Sequence, residues 1–138
     1  MQSPPEKNDL KRCLERALSR FPEVEAAYLF GSRAEGRMKA GSDLDLALVV
    51  NQPLGLRKLD ILAALTAEGL DNVDLVVLSS DDVVLRFEAV RLNQLVYARK
   101  GFDRGGYYSR SIREYLDFLP YLEAQRTARR RRLAHGKA

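Results

Sequence analysis

The segment Leu29-Phe30-Gly31-Ser32, ten further residues, and then Asp43-Leu44-Asp45-Leu46 organises the whole chain. Val24 to Phe30 (VEAAYLF) is short, apolar and aromatic, which predicts a strand. Gly31-Ser32 interrupts it. Residues 31 to 42 (GSRAEGRMKAGS) hold three Gly, two Ser and four charges without any period, so they read as a connecting loop. Asp43 to Val50 (DLDLALVV) predicts a second strand with acids at its start. Working outward, Leu10, Cys13, Leu14, Ala17 and Leu18 recur at helical spacing, predicting a helix over 8–20 that Asn8 or Asp9 caps and Pro22 ends. A second helix is predicted over 56–68, closed by Gly69. A third strand follows over Asn72 to Leu78 (NVDLVVL), then a helix from Asp81 to Leu92 capped by Ser79 or Ser80, with acids in its first turn. Gln94 to Arg99 reads as a fourth strand, and Gly101, Gly105 and Gly106 as a loop. A final helix starts at Tyr107, with Pro120 set to kink or split it and a fraying arginine-rich end.

Strands alternating with helices imply an α/β (α+β) domain, a small mixed β-sheet of about four strands flanked by helices. At 138 residues there is room for one domain. It is expected over residues 1–120, including the helix from about 107, with 121–138 as the helix end and a basic tail. The net charge of +4 is uneven. All the acids precede Gln125, and Arg126 to Lys137 holds six basic residues and no acid. The basic balance therefore describes a tail rather than the folded body.

Composition removes several chemistries. Cys13 is the single cysteine, which excludes an internal disulfide and a cysteine-based zinc site. The only histidine, His135, lies in the tail, so Ser-His-Asp and Cys-His mechanisms are excluded from the body. No apolar run approaches the ~20 residues needed to span a membrane. The N-terminal residues show no apolar signal region, so the expected location is the cytoplasm.

Three features then converge. Gly31-Ser32 at a strand end offers close backbone approach and N–H groups for an anion. Asp43 and Asp45, two apart on one strand, share a face, and their mutual repulsion favours a cation between them. Hard oxygens in that arrangement suit Mg²⁺ with phosphate oxygens completing its shell. Asp74 sits in an otherwise apolar strand. It completes a carboxylate trio if its strand neighbours that of Asp43; the bland alternative is a strand-edge acid facing water. Together these are the parts of a metal-assisted nucleotidyl transfer site.

Gly31-Ser32, ten residues, and Asp43-Leu44-Asp45 resemble the GS-x10-DxD signature of the DNA-polymerase-β-like nucleotidyltransferase superfamily. More narrowly, Leu29-Phe30-Gly31-Ser32-Arg33-Ala34 and Gly41-Ser42-Asp43-Leu44-Asp45-Leu46-Ala47 resemble the minimal nucleotidyltransferase (MNT) antitoxins. The resemblance covers roughly residues 8 to 120. It implies a nucleotidyltransferase fold and a partner, a helical HEPT-type RNase toxin. It implies AMP transfer from ATP to a toxin tyrosine, with Mg²⁺ as cofactor. Carried over, Gly31, Ser32 and Arg33 bind nucleotide phosphate, and Asp43, Asp45 and Asp74 are the catalytic metal-binding carboxylates. Two other functions stay open: a non-catalytic antitoxin acting by binding, and nucleotidyl transfer to a small molecule.

Outside this constellation, Tyr108 and Tyr115 read as an apolar seam on the sheet, with Tyr107 and Tyr121 open between core and docking surface. Arg129 to Arg132 reads as a solvated tail in preference to a nucleic-acid grip, because no aromatic side chains interleave with it. Cys13 reads as core.

Overall fold

Alternate residues of the central strands point to opposite sides, and each side is covered by a pair of helices. The computed structural model describes residues 7–30 and 44–135. In chain order these form α1 (Lys7–Leu18), β1 (Val24–Leu29), β2 (Leu44–Val50), α2 (Arg57–Ala67), β3 (Val73–Leu78), α3 (Val83–Val90), β4 (Leu95–Ala98) and α4 (Arg104–His135). The four strands make one mixed sheet in the order β3-β2-β1-β4. β1 runs antiparallel to β2 and β4, and β2 runs parallel to β3. The parallel pair needs a crossover, which α2 supplies.

Ala27, Leu29, Leu44, Leu46 and Leu48 face α1 and α2, meeting Leu10, Leu14, Leu18, Ile61 and Leu65. Ala26, Tyr28, Ala47 and Val49 face α3 and α4, meeting Ala89, Val90 and Tyr107. Covering on both faces explains why DLDLALVV reads as a nearly continuous apolar run.

Several local expectations change at helix ends. α1 begins at Lys7, so Asp9 lies inside its first turn and not at a cap. α3 begins at Val83, and its cap is Asp82, whose carboxylate accepts from the Leu85 N–H at 3.0 Å. Ser79 instead accepts the Asp81 N–H at 3.2 Å, holding the preceding turn. Being the longer side chain nearer the helix, the carboxylate takes the orphan amide and no acid remains in the first turn. α4 begins at Arg104, three residues early, so Gly105 and Gly106 are helical. The Asp103 carboxylate accepts the Gly106 N–H at 3.0 Å. A Cβ on Gly106 would lie 2.2 Å from that carboxylate as it stands, so a larger residue there would make the Asp103 side chain shift.

Pro120 lies inside α4 without splitting it, and the 32-residue helix continues through Arg129 to Arg132, which are exposed. Ala, Arg and Leu are strong helix formers, which supports this overhang without tertiary cover. Tyr107 is buried and stacks on Tyr28 with ring centroids 6.2 Å apart. Tyr108 packs beside it against the sheet, while Tyr115 stacks on Phe87 of α3 at 3.8 Å, not on the sheet. Tyr121 is 69% exposed. Cys13 is partly buried against the core. Among the described residues no helix is long and apolar enough to cross a membrane.

Candidate active site

β2 and β3 run in parallel with Asp45 directly opposite Asp74. Neighbouring strands lie about 4.8 Å apart, and opposed residues of a parallel pair point to the same side. Both acids therefore project on the α3/α4 side, at the N-terminal ends of their strands. Asp45 is half-buried and Asp74 is exposed. β3 is an edge strand, and this is why an acid within VDLVVL stays in contact with water. Asp74 is thus an edge-strand acid in contact with water that stands opposite Asp45.

The backbone ties the Gly31-Ser32 segment to this point. The Phe30 N–H, immediately before Gly31, donates to the Asp45 carbonyl at 3.2 Å. The Leu44 N–H, immediately after Asp43, donates to the Asn72 carbonyl at 2.7 Å. Both flanks of the GS-x10-DxD stretch are thus anchored beside the two acids. Gly31, Ser32, Arg33 and Asp43 themselves lie outside the described residues.

Two carboxylates about 5 Å apart repel by ~1–3 kcal/mol between the dielectric of water and that of a protein surface. A divalent cation between them converts that repulsion into attraction. The donor set contains only hard carboxylate oxygens, which fit Mg²⁺ and not zinc or copper. Among the described residues no group of three His, Cys, Asp or Glu side chains that could hold a metal comes together. The third member of the proposed set is Asp43.

Two further charged pairs escaped the sequence reading. Arg86 is only 4% exposed and pairs with Glu114 of α4. Its signal was available: Arg86, Ala89 and Val90 are the buried residues of α3, at i, i+3 and i+4. Glu23 accepts from Arg57 through two nitrogens, at 2.7 and 3.3 Å. Those hydrogen bonds hold the Glu23 carboxyl below its ordinary pKa. No periodicity signalled this pair, which joins residues 34 apart in sequence. On β1, burial pushes the Tyr28 hydroxyl up to about 12.

The profile of the polymerase beta nucleotidyltransferase family matches residues 12–101. No curated protein matches the chain by sequence. Among solved structures, the chain is similar over 94% of its length, and 99% of the other, to a toxin–antitoxin structure with AMP-PNP, at 24% identity and TM-score 0.67. It is similar at 21% identity and TM-score 0.66 to a complex of a tri-AMPylated Shewanella oneidensis HEPN toxin with an MNT antitoxin, with the same coverage. A mutant MntA–HepT toxin–antitoxin pair matches at 25% identity and TM-score 0.65, covering 95% of this chain and 99% of that one. These likenesses establish a shared fold over nearly the whole chain.

Proposed function

Because the chain belongs to the polymerase beta nucleotidyltransferase family, we propose that it is the antitoxin of a toxin–antitoxin pair, transferring AMP from ATP to a tyrosine of a helical HEPT-type RNase toxin in the cytoplasm. The observation that carries this reading is the register of Asp45 against Asp74, beside the anchored ends of the GS-x10-DxD segment. The neighbouring structures that contain AMP-PNP and an AMPylated toxin support the nucleotide and the acceptor class.

In the proposed reaction Gly31, Ser32 and Arg33 bind the phosphates of ATP and orient the α-phosphorus. Asp43, Asp45 and Asp74 would hold Mg²⁺, which when bound would neutralise charge on the phosphates and the leaving pyrophosphate. The acceptor oxygen forms a bond to the α-phosphorus as the bond to pyrophosphate breaks. In this reading the Asp74 carboxylate, which is exposed, takes the proton that the hydroxyl loses. Half-burial of Asp45 limits its side-chain freedom, which suits a fixed ligand.

The test is intact-mass analysis of the co-expressed partner. Added AMP masses that vanish in an Asp43→Asn, Asp45→Asn double variant support the proposal. An unmodified partner that is still neutralised by the double variant would establish inhibition by binding alone.

A further inference from the structure

A second concave site lies at the other end of the sheet. Val49 and Leu78 line it. Each is four residues along its strand from Asp45 or Asp74, or about 13 Å at the usual strand rise. The cleft has a volume of about 690 Å³ and runs between the sheet and α4. That size suits a small molecule and not a flat macromolecular surface.

Its lining is rich in guanidinium groups. Arg86 lines the cleft and is only 4% exposed, yet its Nε has no hydrogen-bond partner. A buried guanidinium with a donor left unpaired favours an added acceptor beside it. Arg110 and Arg113 of α4 line the same cleft, and the Arg110 guanidinium rests over the Tyr107 ring at 5.7 Å. Three acids share the lining: Glu25, Asp103 and Glu114. Glu114 already pairs with Arg86, and Asp103 already accepts the Gly106 N–H. Arg110 and Arg113 therefore face the cleft with charge that the adjoining acids of α4 and its cap do not consume. Glu25, on the β1 side, is left to accept from a donor group.

We propose that this cleft binds a phosphate-bearing small molecule, its phosphate against Arg86, Arg110 and Arg113 and a hydroxyl or amino group toward Glu25. A mononucleotide has that combination. Bidentate guanidinium geometry fits a phosphate oxygen pair, and the recessed Arg86 supplies a fixed donor while the exposed Arg110 and Arg113 capture the charge. The site is separate from the Asp45–Asp74 pair and does not depend on the transfer reaction proposed above.

The experiment is a titration of the full ¹⁵N-labelled chain with AMP, and separately with inorganic phosphate, in EDTA so that metal-dependent binding is absent. The arginine Nε–Hε signals report the cleft directly. Saturable shifts of the Arg86, Arg110 and Arg113 signals are expected. Affinity should fall at least ~10-fold in an Arg110→Gln, Arg113→Gln variant. It should be unchanged in Asp45→Asn. Both substituted arginines are exposed, so the fold is expected to survive, and an unchanged melting temperature checks this. Tighter binding of AMP than of phosphate assigns a nucleotide, and equal binding assigns the phosphate group alone; either supports the site. Shifts confined to residues 31–45, equal affinity in the double variant, or no saturation by ~10 mM of either probe would overturn it.

Discussion

Asp45 of β2 and Asp74 of β3 stand opposite each other in the parallel register of the sheet, the first half-buried and the second exposed. Replacing either with Asn removes a charge without changing side-chain size. Asp45→Asn should lower AMP transfer at least ~100-fold, and Asp74→Asn by ~10-fold or more. Folding should hold in both, because relief of repulsion offsets lost hydrogen bonding. Radiolabelled ATP transfer and melting temperature, measured together, separate the two effects. Full transfer by Asp45→Asn would remove this pair from the chemistry.

The Arg86–Glu114 pair joins α3 to α4 with one partner buried and the other about 41% exposed. Glu114→Ala leaves a buried guanidinium without its carboxylate. Breaking a fully buried pair costs ~3–5 kcal/mol, so with one partner half in water about 2 kcal/mol is expected. Urea unfolding measures it, and Arg86→Leu combined with Glu114→Leu should recover part of the loss.

Tyr28 is fully buried, and its hydroxyl has no hydrogen-bond partner. Removing an unsatisfied buried hydroxyl is neutral to stabilising by about 1 kcal/mol, so Tyr28→Phe should keep or raise the melting temperature. The same burial raises the hydroxyl to about 12. Its neutral form is favoured in the fold, so the associated stability is complete below the unfolded value near 10 and is lost as pH rises from there through about 12. Tyr28→Phe should melt less steeply with pH in that window. Tyr97 and Tyr107, also raised by burial, leave the variant a residual alkaline slope.

Glu23 lies at the end of the sheet, held by Arg57. Hydrogen bonding to Arg57 lowers its folded pKa, so the pair's stabilisation is present above the unfolded value of 4.5 and is lost as pH falls through the folded one. The melting-temperature gap between the native chain and Glu23→Gln should therefore close with acidification below about pH 4.5. A gap that stays constant from neutral pH to pH 3 would contradict this linkage.

Element types were readable because hydrophobic periodicity is a property of the chain alone. Leu10, Leu14 and Leu18 share one helical face whatever covers them, and DLDLALVV is strand-like in any sheet. Helix starts were less readable: Ser79, Ser80, Asp81 and Asp82 are all competent caps, and only the path of the backbone selects Asp82. The same applies to Asp103, whose return onto Gly106 moved the start of α4 forward.

The candidate site divides in the same way. GS-x10-DxD is a local spacing, so the sequence by itself pointed to the family and to four candidate positions, Gly31, Ser32, Asp43 and Asp45. That Asp74 belongs beside Asp45, and that Arg86 is buried against Glu114, was decided only by the tertiary structure. Strand order and helix docking bring together residues 29 and 28 apart along the chain. Periodicity carries no information about such pairings, because they arise from how separate amphipathic elements share two faces of one sheet.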